Sequence, residues 1–150
     1  MENLKEIIQL TPTEKKVRKA LIKFAAAKRT VAYQALSNIA DLGLEMQYDI
    51  HVEMMSTMLS NVSCFELQEG RPLLSAVVIN SNKEHQGNGF FKLCTEKETE
   101  LKELLNCESL SPNIKQKLEF SAARIKDCYD FWRDKERLNL NREKEVHLDD

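Results

Sequence analysis

Two residues of this chain could form a catalytic pair, because Cys94 and His85 lie in the same short segment. A histidine beside a cysteine can remove the thiol proton and produce a nucleophilic thiolate. The segment offers no evident oxyanion hole and no acid that would orient His85, and Cys94 follows the apolar Leu93. Reactive thiols need an identifiable activating environment, so Cys94 is interpreted as structural. The sequence therefore predicts no catalytic residue and no enzyme. A cysteine-dependent enzyme is kept as a third hypothesis, after the two binding functions described below.

The metal-binding side chains are too scattered to form a site. The chain has 4 cysteines and 3 histidines, without a C-x-x-C pair and without the spacing of a zinc motif. Free cysteines commonly pack as small hydrophobic residues. We therefore expect reduced thiols, no bound metal, no cofactor and no small-molecule substrate.

The glycine-rich segment Gly87-Asn88-Gly89 lies between two apolar runs. A phosphate-binding loop places its glycines between a strand and a helix, usually with Lys-Ser or Lys-Thr. Here Phe90-Phe91 follow, which indicates a second strand, and Asn and Gly suit the end of a hairpin. The sequence predicts a β-hairpin made of residues 73–79 and 90–94, and no nucleotide-binding loop.

Positive charge is concentrated at the start of the chain. Residues 1–30 carry eight Lys and Arg against three Glu, whereas residues 31–150 carry fourteen against twenty-one acidic residues. The net charge of -2 excludes a generally basic nucleic-acid coat, but this asymmetry is typical of a basic docking face. A solvated helix surface is the alternative explanation.

These cations belong to a helix with a clear start. Thr11-Pro12-Thr13-Glu14 combines a capping box with a proline at the first helical position, which predicts a helix from residue 12 to about residue 29. Apolar residues occupy one face of it, and the lysines together with Arg18 occupy the opposite face. The candidate nucleic-acid contacts here are Lys15, Lys16, Lys19, Lys23, Lys28 and Arg29.

The elements that follow have the order of a winged helix. A β-prone stretch at 31–33 precedes a short helix at 34–41 and a longer helix at 50–66, and the hairpin comes next. Polar residues at the tip of such a wing have suitable chemistry for phosphates and sugars. The candidate contacts on the wing are Lys83, His85 and Asn88.

Two helices are expected after the wing. A second capping box begins at Thr95, and Ser111-Pro112 begins a long final helix. We expect an α+β, mostly helical protein, with a winged-helix-like core, a β-hairpin wing and two C-terminal helices. Its parts are the core at 11–94, a helical extension packed on it at 95–138, and a flexible tail at 139–150.

A protein–protein interaction module is the second hypothesis, a repurposed winged helix that binds another protein or a second copy. Methionines at helical spacing can form an adaptable surface, although such a stripe is more often part of a core. The final helix carries a second apolar line besides its main stripe. The candidate interface residues are Met54, Met58, Phe120, Phe131 and Leu138.

The composition indicates an ordinary soluble domain, with 42% hydrophobic and 31% charged residues. No apolar run approaches the ~20 residues that a membrane span needs. The first residues also lack the basic-then-apolar order of a signal peptide. We expect a cytoplasmic protein with no membrane partner.

Two stretches, KRTVAYQALSNIADLG and GRPLLSAVVINSNKEHQGNGFFKL, resemble the DNA-binding domain of the O6-alkylguanine alkyltransferases and alkyltransferase-like proteins. Thr30 and Tyr33 match the Thr-x-x-Tyr strand of that family, and Gly87, Gly89 and Phe90 match its wing. The resemblance implies a winged-helix DNA-binding fold. The Pro-Cys-His-Arg motif of the family is absent, so alkyl transfer is not implied. The helix at 50–66 also has no Lys or Arg, whereas the family's recognition helix offers an arginine.

A closer resemblance is to a group of small uncharacterised bacterial proteins. They share the pattern G-x-P-L-L-S-A-L-V-V…G-x-G-F-F/Y-x-L and a later Y-x-Y/F-W, which residues 70–79, 87–93 and 129–132 follow apart from Val77 and Ile79. This likeness implies no established function. The sequence therefore predicts a non-catalytic nucleic-acid-binding or nucleic-acid-complex accessory protein of a bacterium or mobile element, with DNA and RNA both open.

Overall fold

The structure, a computed structural model, describes residues 8–80, 85–97, 99–101 and 117–133. This part of the chain is mostly helical and contains one small sheet, which confirms the α+β, mostly helical prediction. In chain order the elements are α1 (Pro12–Ala26), β1 (Val31–Ala32), α2 (Tyr33–Ile39), α3 (Asp49–Gln68), a 3₁₀ turn (Leu74–Val77), β2 (Val78–Ile79), α4 (Asn88–Glu96) and α5 (Lys117–Trp132).

Helix α1 begins at the predicted capping box. The Thr11 hydroxyl accepts a hydrogen bond from the Glu14 backbone N–H (3.1 Å), and the Thr11 N–H donates to the Glu14 carboxylate (3.0 Å). The helix ends before residue 29 because Lys28 adopts a left-handed φ of 57°. Lys28 N–H then donates to Ala25 O and Arg29 N–H to Phe24 O, which is the pattern of a Schellman cap.

The two strands pair in parallel, with Val31 opposite Val78 and Ala32 opposite Ile79. Parallel pairing needs a crossover connection, and α2 and α3 supply it. The predicted strand at 73–79 is therefore only partly right, because its residues Leu74–Val77 form a 3₁₀ turn instead. Among the described residues, the strand partner of β2 is β1, and Asn80 N–H just after β2 donates a hydrogen bond to His85 O (3.0 Å).

The second strand of the predicted hairpin is wrong, since residues 88–96 form helix α4. The buried residues are Phe90, Phe91, Leu93 and Cys94. On a strand, Phe90 and Phe91 would point to opposite faces, whereas on a helix all four share one face. A short apolar run fits either element, so the periodicity did not separate them. The predicted hairpin wing is absent from the described part of the chain.

A single hydrophobic cluster joins residues of α1, α3, the 3₁₀ turn, α4 and α5. Helix α1 packs against α3, α5 and the 3₁₀ turn, so the final helix docks on the core over the described residues 117–132. The expected boundary between residues 94 and 95 falls inside α4. The start of the final helix at Ser111-Pro112 and the expected tail at 139–150 lie outside the described residues. No helix among those described is long and apolar enough to cross a membrane.

A buried ion cluster connects α1 to α3. Glu66 is fully buried, and its carboxylate accepts hydrogen bonds from Arg18 Nε (2.5 Å) and Arg71 Nε (2.7 Å). The Arg18 guanidinium also lies 5.3 Å from the ring centre of Phe65 and 5.8 Å from that of Trp132. The placement of Arg18 on the exposed basic face is therefore wrong, because its charge is paired inside the core.

Candidate functional site

The exposed side of α1 and the end of α2 enclose an open groove of about 410 Å³. Lys16, Lys19 and Lys23 follow one side of α1 at spacings of three and four, so they share a helical face. Arg29 joins them because the left-handed Lys28 turns the chain back after the helix. We call this the basic groove, and its four cations are Lys16, Lys19, Lys23 and Arg29.

The floor of the basic groove is apolar. It consists of Ala20, Phe24 and Ala27 from α1 and the following turn, with Ile39 and Ala40 from the end of α2. Ile39 leaves 57% of its surface exposed there. None of the described residues that line the groove is acidic, so the cations are not neutralised from within its walls. The groove therefore offers concentrated positive charge above an apolar surface.

The two other predicted cations near α1 do not line this groove. Lys15 is half-buried, and Lys28 lies near the end of α5. A hydrogen bond from Lys126 lowers the pKa of the Asp130 carboxyl, and the charges of Arg133 and Lys28 lower it further. Lys28 thus shares its field with an acidic side chain of α5. The structure brings together four of the six predicted α1 contacts.

The predicted wing residues lie in a different place. His85 and Asn88 line a second cleft of about 560 Å³ between the start of α2, α3 and α4, and it shares no lining residue with the basic groove. We call it the α3–α4 cleft. Lys83 lies outside the described residues. The predicted nucleic-acid site is therefore divided between two surfaces.

The α3–α4 cleft is lined by neutral side chains. Tyr33 reaches across it, and its hydroxyl accepts a hydrogen bond from the Gly87 N–H (2.8 Å). Burial raises the pKa of Tyr33, and this hydrogen bond lowers it in part, so the phenol stays protonated at neutral pH. No Asp, Glu, Lys or Arg is among its described lining residues. The described lining of this cleft therefore differs from that of the basic groove, which includes four cations.

The glycines at this cleft have a packing role and not the predicted turn role. Gly87 has a φ of -75°, and a Cβ added to Gly89 would lie 2.4 Å from the Ser56 hydroxyl oxygen. Gly89 thus lets the start of α4 approach α3 closely. Because the segment opens a helix, the argument that excluded a phosphate loop from a following strand was wrong. The absence of a nucleotide-binding loop stays a prediction.

The cysteines are placed for packing. Cys94 and Cys128 are buried free thiols, Cys64 is a partly exposed free thiol, and Cys107 lies outside the described residues. Burial raises the pKa of Cys94 to about 12 and raises that of Cys128 even more, so both thiols are protonated at neutral pH. His85 Nδ1 lies 2.7 Å from Gln86 O, and its ring packs edge-on to Phe91. The backbone oxygen of His85 also accepts a hydrogen bond from the Asn80 N–H (3.0 Å).

The predicted protein-interface residues separate into exposed and buried ones. Met54 is 49% exposed, whereas Met58 and Phe131 are half-buried against the core. Phe120 is buried and packs with Phe90 and Phe91, so its assignment to an interface is wrong. Its spacing placed it on a second face, but α4 covers that face. Leu138 lies outside the described residues.

Sequence reasoning missed several exposed apolar residues. Ile39 in the basic groove, and Tyr48, Ile50 and Val52 near the start of α3, were not singled out as exposed. The sequence distinguishes this region by its charge, because no Lys or Arg occurs from Thr30 to Gly70. In this respect the segment contrasts with the basic helix α1.

The described residues contain no group of three or more His, Cys, Asp or Glu placed to hold a metal ion. Compared with known protein families, curated proteins and solved structures, the chain matches none of them. The resemblance to alkyltransferase-like proteins and to the small bacterial group therefore stays a prediction. The surfaces themselves must carry the functional argument.

Proposed function

We propose that this protein binds nucleic acid without catalysing a reaction, and that the basic groove is its contact surface. The observation that carries the proposal is the convergence of Lys16, Lys19, Lys23 and Arg29 on one groove without an acidic lining residue. Lysine and arginine are the main side chains that contact phosphate oxygens. Their regular spacing on a rigid helix suits the repeating charges of a nucleic-acid backbone.

Helix α3 is excluded from this contact by its charge. It contains no Lys or Arg, and its first half exposes Asp49 and Glu53. Phosphates would be repelled there, although the order of α2 and α3 fits the helix pair of a winged helix. The proposal therefore orients the protein with α1 against the nucleic acid and the acidic start of α3 away from it.

Contacts of this kind recognise the backbone and not the bases. We expect weak sequence preference and strong dependence on salt, since each neutralised phosphate releases bound counterions. Four phosphate contacts give a slope of about −3 to −4 in log K against log salt, or roughly a 100-fold loss between about 50 and 200 mM salt. Binding to duplex DNA, single strands and duplex RNA distinguishes which backbone fits best.

Fluorescence anisotropy with labelled oligonucleotides of these three kinds tests the proposal. Lys19→Glu/Lys23→Glu should weaken binding by about tenfold or more, because two phosphate contacts become repulsive. The matched control is Lys92→Glu on α4 combined with Lys97→Glu at the C-cap of that helix, since it makes the same charge change away from the groove. The control should stay within about twofold of the wild type. No binding at low salt, or an equal loss in both variants, would contradict the proposal.

A further inference from the structure

The first part of α3 and the residue before it form an exposed apolar surface. Tyr48 is 52% exposed, Ile50 66%, Val52 43% and Met54 49%. Ile50 and Met54 lie one turn apart on the same side of α3, whereas Val52 lies on the other side of the helix and lines the α3–α4 cleft. We call Tyr48, Ile50 and Met54 the α3 patch. Asp49 and Glu53 are exposed between them, and Glu45 is exposed just before them. The patch therefore combines apolar side chains with negative charge.

Most exposed large hydrophobic side chains of the described residues lie on two surfaces. Four of the five are the three residues of the α3 patch and Ile39 in the basic groove. Large apolar side chains on a surface commonly mark an interaction site when they are grouped. A nucleic-acid backbone accounts for the four cations of the groove but makes no use of Ile39 and Phe24 on its floor.

Charge is divided between the same two surfaces. Three exposed acids, Glu45, Asp49 and Glu53, lie at the α3 patch, and no Lys or Arg occurs from Thr30 to Gly70, whereas the groove presents four cations. Each surface thus offers what the other lacks in charge, and both offer apolar area. Complementary potentials guide association and fix which faces meet.

The backbone at the start of α3 also departs from ordinary capping. Its N-cap residue Tyr48 has the extended conformation of a cap but makes no side-chain capping hydrogen bond. Ser, Thr, Asp or Asn at this position would typically stabilise the helix. A local rule that is broken at an exposed aromatic residue is typical of a position used for contact.

We infer that the α3 patch of one copy docks in the basic groove of a second copy. This goes beyond the proposed function, because it concerns self-association and also covers the surface that nucleic acid would use. The contact joins two different surfaces, so it is heterologous, and a pair of copies joined by one such contact keeps one free patch and one free groove. Assembly therefore continues past the dimer into a ring or an open chain.

Light scattering on nuclease-treated protein over a concentration series tests this inference. The patch variant is Ile50→Lys/Glu53→Lys and the groove variant is Lys19→Glu/Lys23→Glu, all at exposed positions. The wild type should grow beyond the dimer with concentration, whereas each variant alone should stay monomeric. A mixture of the two variants should form 1:1 dimers and nothing larger, because only one intact patch and one intact groove remain per pair.

The matched control for the patch variant is Glu119→Lys/Ala122→Lys on α5. It makes the same charge change at the same spacing on exposed positions, and it should assemble like the wild type. Circular dichroism confirms that each variant is folded. A wild type that stays monomeric throughout, or a mixture of folded variants that stays monomeric, overturns the inference. So does a groove variant that assembles alone, since the α3 patches would then meet each other.

Nucleic-acid binding by the patch variant separates this inference from the proposed function. The patch variant keeps the basic groove, so it should bind oligonucleotides with unchanged affinity while it no longer assembles. Oligonucleotide added to the wild type should dissociate the assemblies, because both ligands need the groove. If the mixture forms dimers but no variant binds nucleic acid, self-association stands and the proposed function fails.

Discussion

Helices α1 and α3 pack against each other, yet they use charge in opposite ways. On the inside, Arg18 of α1 meets Glu66 of α3 in a buried ion pair, and Asn61 of α3 donates to the Glu14 carboxylate (2.8 Å). On the outside, α1 presents cations and α3 presents acids beside exposed apolar side chains. Opposite charges hold the two helices together within a copy, and in the self-association that we infer they also pair the outer surfaces of two copies.

The starts of α1 and α3 also differ, in how their backbone N–H groups are capped. The start of α1 has a complete capping box and a proline, so its orphan N–H groups are satisfied locally. The start of α3 has an aromatic N-cap residue without a capping hydrogen bond. One end is built for stability, and the other gives up some stability where it exposes an apolar surface.

The largest expected effect comes from the buried contact between the helices. Glu66→Gln removes the carboxylate charge that lies between the Arg18 and Arg71 side chains, all three of which are buried. Removing one partner of a buried ion pair costs about 3–5 kcal/mol of unfolding free energy. Denaturant unfolding followed by circular dichroism measures it.

The matched control for that change is Glu53→Gln, which makes the same substitution at an exposed position of α3. It should change the unfolding free energy by less than about 0.5 kcal/mol. If the two variants are equally stable, the buried ion cluster does not hold α1 to α3, and charge does not stabilise the contact between these helices.

A smaller effect is expected at the start of α1. Thr11→Ala removes the hydroxyl that accepts from the Glu14 N–H, and loss of such a cap costs about 1 kcal/mol. Thr13→Ala makes the same substitution two residues later at an exposed position, so it is the control and should leave the unfolding free energy nearly unchanged. A neutral Thr11→Ala would show that the capping box adds nothing once the helix is packed. Thermal unfolding of both variants decides this.

The smallest effect has the opposite sign and is expected at the start of α3. Tyr48→Ser supplies a capping hydroxyl in an already extended N-cap, so it should raise the unfolding free energy by about 0.5–1 kcal/mol. It also removes an aromatic ring from the α3 patch, so self-association should weaken. Tyr48→Phe keeps the ring and adds no cap, and should leave both quantities unchanged. A Tyr48→Ser variant that is less stable, or that assembles better, contradicts this account of the position.

Local signals predicted much of the fold. The start of α1, the positions of α2 and α3, and β1 follow from capping residues, apolar periodicity and β-branched composition. They failed at residues 88–96, where four buried apolar residues fit a strand as well as one face of a helix. They failed again at Phe120, because its apparent separation from the main stripe took no account of α4.

The candidate surfaces were predicted less completely. The lysines of α1 were recognised, but Arg18 was placed with them although its guanidinium pairs with Glu66, 48 residues away. No residue within a helical turn of Arg18 indicates that the Glu66 carboxylate lies beside it in the core. His85 and Asn88 were expected beside the cations, but α4 places them at a separate cleft. Long-range placement of this kind depends on packing and has no local signature.

The sequence by itself determined where the helices begin and that the chain divides its charge, with a basic α1 and no Lys or Arg from Thr30 to Gly70. Capping bonds and periodic apolar residues act within one or two turns, so they can be read from neighbouring residues. Only the tertiary structure decided which charged side chains are paired in the core and which face outward. Arg18 and Lys19 are adjacent in the chain, yet one is buried against Glu66 and the other lines the groove, because burial depends on partners that the fold brings from far along the chain.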